Sequence, residues 1–263
     1  MPSEGFLAKT AALRELGGQR VWSLMISLFG DLARDPGDEI AGPMLSSIMS
    51  GLNVKPEAAR VALYRLRNEG WIVSRKAGRI SIHSLSEKGR AETLAASPLI
   101  YAPPPATTEN WRLLLTRDGS AEEAEDLKKL GYVSLLPRVF MGDGNLPVPP
   151  QTLALAGSDA PDWLCEELEQ AALRPAFAAL AESLAQLTED LGSDSQLTPF
   201  EVANLRCLVV HNWRRLVLKC PPLPGSLVGA SSDMRRCHLL VSELLRRFPR
   251  PAIAEIQVPR DQP

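Results

Sequence analysis

Residues Asn53–Leu85, NVKPEAARVALYRLRNEGWIVSRKAGRISIHSL, read as one helix followed by a two-stranded hairpin. Pro56 stands where a helix can begin without wasting a backbone donor. Gly70 stands just past the end, where a left-handed backbone costs least. Between them Ala59, Ala62, Leu63 and Leu66 recur at three- and four-residue spacing and predict the buried stripe. Glu57, Val61, Tyr64 and Asn68 fall on the opposite side, flanked by Arg60 and Arg65. After the glycine, Trp71–Arg75, a turn at Lys76–Arg79 and the alternation Ile80-Ser81-Ile82-His83 predict a half-buried hairpin with a basic tip.

A helix shaped for the DNA major groove, followed by a basic hairpin that reaches the neighbouring backbone, is the winged form of the helix-turn-helix. The upstream sequence supplies its other two helices. Val21, Leu24, Met25, Leu28 and Leu32 give an amphipathic helix stopping at Arg34-Asp35-Pro36-Gly37, and Pro43 opens a second, with Met44, Leu45, Ile48, Met49 and Leu52 facing inward. Charge agrees. From Asn53 to Arg90 there are nine Lys and Arg against three Glu, a local +6, although the whole chain has 29 basic and 31 acidic residues, net −2. That concentration points to one docking surface on a polyanion rather than loose attraction. The candidate contacts are Lys55, Glu57, Arg60, Val61, Tyr64 and Arg65 on the helix, with Arg75, Lys76 and Arg79 of the wing set against phosphates. Arg67 and Asn68, late in the helix, fall outside the groove.

At 263 residues the chain has room for two or three domains. Cys165, Cys207, Cys220 and Cys237 are widely spread with no paired spacing and no secretory leader, so reduced thiols in the cytoplasm are expected. The most apolar runs are broken before membrane-spanning length, so no membrane association is expected. The predicted class is α+β, in three parts. Residues 1–96 form the winged helix-turn-helix, its first 16 residues a partly ordered lead-in and its last helix running from a Ser86 cap to Ala96. A stiff proline-rich linker spans 97–110, with Pro98 and Pro103-Pro104-Pro105. Residues 111–160 read as strand, helix, strand, strand: Trp111–Thr116, a helix capped by Ser120 and Glu123, Tyr132–Phe140, and Thr152–Ala156. That order suggests a small ferredoxin-like module with a truncated second half.

Residues 161–263 read as a helical C-terminal domain. It comprises Trp163–Leu191 interrupted at Pro175, a helix opened by a Thr198/Glu201 capping box and running to Lys219, and Ser232–Phe248 with Leu239, Leu240, Leu244 and Leu245 together. Ser120 to Asp194 holds fourteen acidic and four basic residues, net −10, so this part is expected to face away from a duplex.

Other chemistries fit these residues less well. Cys207 and His211 share a helix face and Cys237-His238 follows, which allows a zinc site to be imagined, but no close cysteine pair supports it. Asp118, near the end of the first middle-domain strand, suits a metal-dependent nuclease, but no second motif joins it. A winged helix serving as a protein-interaction scaffold commonly loses its basic tip, and this one keeps Arg75, Lys76 and Arg79. No catalytic residue is assigned, and the chain is not expected to be an enzyme.

The chain resembles the PaaX family of transcriptional repressors of phenylacetic acid degradation over nearly its whole length. The resemblance is carried by RVWSLMISLFGD, ALYRLRNEGWIVSRKAGRISIHSLSEKGR, WRLLL and, most specifically, LTPFEVANLRCLVVHNWRRLVL. It implies a cytoplasmic homodimer on a near-palindromic double-stranded operator, released by an acyl-CoA effector of the phenylacetyl-CoA type, with no resident cofactor or metal. The family's His-x-aromatic-Arg-Arg signature is matched by His211, Trp213, Arg214 and Arg215, which become the candidate effector site. Paired guanidinium groups suit phosphate oxygens, and ion pairing with the acidic middle module is the alternative use. The family usually continues Leu-Arg-Asp-Pro. Here Leu218-Lys219-Cys220-Pro221 stands instead, which leaves the acyl group open.

Overall fold

The start and stop signals of the Pro56 helix act as written. In the computed structural model, which describes residues 2–16, 20–104, 110–192 and 195–257, the backbone of Lys55 is extended ahead of the proline. At the other end Gly70 has φ +71°. Its N–H reaches Arg67 O and the Trp71 N–H reaches Leu66 O at 2.8 Å, a Schellman closure that satisfies the last carbonyls.

The chain is of mixed helix and antiparallel sheet, α+β, and divides into two compact units. The first takes Met1–Tyr101, Ala179–Arg215 and Leu240–Pro263; the second takes Ala102–Ala178 and Leu216–Leu239.

The first unit opens with α1 (Glu4–Lys9) and α2 (Ala11–Glu15), then α3 (Val21–Leu32), β1 (Ile40–Ala41), α4 (Gly42–Gly51) and α5 (Pro56–Asn68). β2 (Ile72–Ala77), β3 (Ile80–Leu85) and α6 (Glu87–Tyr101) follow. The sheet order is β1-β3-β2, all antiparallel. Ala77 pairs with Ile80, leaving Gly78 and Arg79 as a two-residue turn in which only Gly78, at φ +60°, needs the left-handed region. Leu45, Ile48, Met49, Ala62, Leu66 and Ile72 are buried between these elements.

Several expectations are corrected here. The lead-in is anchored. Phe6 and Leu13 are buried, and Ser3 gives its N–H and hydroxyl to Glu201 Oε1 at 3.1 and 2.7 Å. α3 is not amphipathic in place, since every residue from Leu24 to Leu32 is buried. The helix expected to stop at Ala96 runs on to Tyr101 through Pro98, because Ile100 is buried and the Tyr101 hydroxyl donates to Asp31 Oδ1 at 2.9 Å. A proline in the last turns removes one ladder bond, which that anchoring offsets. Residues 97–101 of the expected linker therefore belong to α6, and residues 105–109 lie outside the described residues.

The second unit holds β4 (Trp111–Leu115), α7 (Ala121–Lys129), β5 (Val133–Leu136), β6 (Val139–Asp143), β7 (Leu153–Gly157) and α8 (Asp162–Leu168). Its sheet runs β5-β6-β4-β7, all antiparallel. The single strand expected over 132–140 is two, parted at Pro137-Arg138, where proline ends the ladder and Arg138 takes φ +69°. One sheet face packs Leu114 and Phe140 on Leu127 of α7; the other packs Met141 with Leu168 and Leu227.

α9 (Arg174–Leu191), α10 (Pro199–Val217) and α11 (Asp233–Arg247) complete the chain. They do not form one separate helical domain over 161–263, because most of α9 and α10 and the end of α11 belong to the first unit. The capping box holds: Thr198 Oγ1 accepts from Glu201 N while Glu201 Oε2 accepts from Thr198 N. On α11 the buried residues are Cys237, Val241 and Leu244, with Phe248 buried just past its end, while Leu239 is 49% exposed. Leucine count misplaced that stripe by about a residue. Among the described residues, no helix is long and apolar enough to cross a membrane.

Candidate nucleic-acid interface

α5 is seated on its Ala62 and Leu66 side, which leaves the opposite face bare. Glu57, Arg60, Val61, Tyr64 and Arg65 are all exposed, with Val61 at 68% and Tyr64 at 61%. Lys55 is exposed at the helix start. Positions 57, 60, 61 and 64 repeat at helical spacing, so they form one ridge about 10 Å long at 1.5 Å per residue. The structure thus brings together the helix residues singled out from sequence.

The ridge is fixed from behind. Ser86 caps α6 by accepting from Gly89 N at 2.9 Å, its hydroxyl donates to Gly70 O, and its N–H bonds Trp71 O. A Cβ on Gly89 would stand 2.1 Å from Trp71 O, so only glycine permits this approach. The end of α5, the start of the hairpin and α6 are thereby locked together. His83 is buried in the hairpin with Nδ1 2.7 Å from Ser74 Oγ, and burial, aided by Arg67, holds its pKa below the usual imidazole value.

The candidate cations are not equally available. Among the described residues Arg60, Lys55, Lys76 and Arg79 make no ion pair, and all are exposed. Arg65 bonds Glu69 Oε1 at 2.6 Å and lies 4.7 Å from the Trp22 ring centre. Arg75 is gripped by Glu39, with Nε to Oε1 at 3.0 Å and Nη2 to Oε2 at 2.5 Å. That bond holds the Glu39 carboxyl below its ordinary pKa. No pattern in the sequence pairs Glu39 with Arg75, since the two meet only through the β1-β3-β2 order.

The proposed effector residues sit elsewhere and mostly inside. His211 and Trp213 are fully buried, with Trp213 Nε1 donating to Ile100 O at 3.1 Å and His211 Nδ1 3.3 Å from Ser27 Oγ. Burial first, then the neighbouring Arg215 and Arg214, push the His211 pKa down to about 4. Among the described residues its Nε2 has no hydrogen-bond partner. His211 and Trp213 are thus enclosed among the buried side chains of the first unit, where they contribute to its packing. Arg214 is half-buried, with Nη1 3.5 Å from Ser23 Oγ.

The other candidates disperse. Cys207 faces Leu24 O and Cys237 faces Phe177 O, and burial raises both thiol pKa values. Among the described residues no group of three His, Cys, Asp or Glu could hold a metal. Asp118 is 83% exposed beside Arg117, and among the described residues it belongs to no group of three acidic, His or Cys side chains that could hold a metal.

Fold and surface together define an α+β protein presenting a bare helix ridge, with exposed Lys55 and Arg60, beside a basic hairpin, and sequence comparison agrees with a regulator. Residues 20–89 match the model of the PaaX-like protein family and residues 168–254 that of the PaaX-like protein C-terminal domain. The transcriptional repressor PaaX of Escherichia coli K12 is 30% identical over 257 residues, 88% of this chain and 81% of that protein. This chain belongs to the PaaX family. Among solved structures, the uncharacterized protein Rv0674 from Mycobacterium tuberculosis superposes with TM-score 0.48 at 19% identity, over 86% of this chain and 96% of that one.

Proposed function

We propose that this chain is a cytoplasmic, dimeric transcriptional repressor that reads a near-palindromic operator with α5 and steadies itself on phosphates with the β2–β3 hairpin. The observation that carries the reading is the α5 ridge, where an unpaired Arg60 stands beside exposed Val61 and Tyr64 on a chain whose net charge is −2. The order α3, β1, α4, α5, β2, β3, with sheet order β1-β3-β2, supports a winged helix-turn-helix. The order β5-β6-β4-β7 with α7 as its one crossover helix supports a ferredoxin-like module lacking its second crossover. Two copies would place two α5 helices on successive half-sites, as two-fold symmetry requires.

As the family resemblance implies, the regulated genes would be those of aromatic-acid catabolism of the phenylacetate type, with an aryl-acetyl-CoA ester as the releasing signal. Of the residues first considered for that effector, only Arg214 and Arg215 remain candidates for phosphate contact. Binding to the duplex upstream of the chain's own coding sequence tests the proposal. Arg60→Ala is expected to weaken specific binding by about 1–3 kcal/mol, as for loss of one bidentate base contact. Phenylacetyl-CoA is expected to lower operator affinity. Equal binding to a scrambled duplex counts against the reading, and indifference to acyl-CoA esters counts against the effector.

A further inference from the structure

Val61 is the side chain whose position nothing within the molecule explains. Among the described residues no large apolar side chain is more exposed, and it sits in the middle of α5 rather than at a frayed end. β-Branched valine is a weaker helix former than alanine, leucine or lysine, and at this site no burial offsets that cost. Its neighbours on the ridge are Glu57, Arg60 and Tyr64, so the patch is too small and too mixed for a protein-binding groove.

In the DNA major groove one apolar group projects from the base edges: the C5-methyl of thymine. Arg60, immediately before Val61, carries the fork that suits O6 and N7 of guanine. Resting on the operator-binding reading above, we infer that Val61 is a specificity-determining residue that packs on a thymine methyl. Each half-site then contains a thymine within one or two base pairs of the guanine taken by Arg60. The pairing follows from reach: adjacent residues on one helix face lie a few ångströms apart, comparable to the 3.4 Å step between base pairs.

The test uses the full-length chain and a duplex selected from a random-sequence pool. Each thymine of the selected site is replaced in turn by deoxyuridine, which removes the methyl and leaves the Watson–Crick pairing intact. For the unaltered protein, one replacement in each half-site is expected to weaken binding about fourfold, the effect of one buried methyl at about 0.8 kcal/mol. Val61→Ala, at an exposed position where alanine suits a helix better, should fold normally and bind the thymine and uracil duplexes alike. Tolerance of uracil at every position overturns the inference, as does an unchanged uracil penalty in Val61→Ala. Failure to enrich any duplex overturns the operator-binding reading itself and the role of Val61 with it.

Discussion

Asp31 is the residue on which most of the first unit's polar order converges. It is buried in α3, accepts two bonds from Arg206 at 2.7 and 2.8 Å and a third from Tyr101, while Arg206 also donates to Phe248 O at 2.8 Å. One ion pair therefore joins α3, α6, α10 and the end of α11. Asp31→Ala leaves a guanidinium buried without its counter-charge and is expected to cost about 3–5 kcal/mol, read as a lower urea midpoint. A loss under 1 kcal/mol would show that water reaches Arg206. His211 sets a pH dependence. Its folded pKa near 4 lies below the unfolded value near 6.5, so the unfolded chain binds more protons between them. Stability should be full above about pH 6.5 and fall as pH drops toward 4. His211→Gln should flatten that part of the curve; an unchanged slope would place the effect on other groups. Neither role was legible beforehand. Sequence shows an Asp in an apolar helix and an Arg in another, and the two stand 175 positions apart.

Elements were read well where the signal was local. Pro56, Gly70, the Gly78 turn and the Thr198/Glu201 box each fixed a boundary through backbone chemistry that neighbouring residues complete. Local signals failed where distant packing decided. α6 passes through Pro98 because Asp31 holds Tyr101, and the strand expected over 132–140 folds back because a hairpin partner was available. The β2–β3 hairpin shows the same limit, since Arg75 is already paired with Glu39. Lys76→Ala and Arg79→Ala should each flatten the slope of log affinity against log salt by about one. Arg75→Ala should change it less, and Glu39→Ala, which frees Arg75, should tighten binding. Weaker binding by Glu39→Ala would mean that the pair positions the wing instead.

At the scale of the whole molecule, the charge pattern in the sequence proved informative and the domain pattern less so. Of the nine cations between Asn53 and Arg90, Lys55, Arg60, Lys76 and Arg79 are exposed and make no ion pair among the described residues, whereas Arg65 and Arg75 are paired and Arg90 bonds Arg34 O. A contiguous helical C-terminal domain was not observed, because α10 carries buried side chains on every turn and packs into the first unit through Asn204, Arg206 and Asn212. The Asn212 side chain donates to Leu13 O and Arg206 pairs with Asp31, so the tail builds the core around α3. His211 and Trp213 take part in that packing, with Trp213 Nε1 donating to Ile100 O. The central claim, that the α5 ridge enters the major groove, is tested most directly by dimethyl sulfate protection of guanine N7 on a selected duplex. One protected guanine in each half-site is expected to become reactive when Arg60→Ala is bound at saturation, with the remaining protections unchanged. Protection that is identical for both proteins, or absent from the major groove altogether, would contradict it.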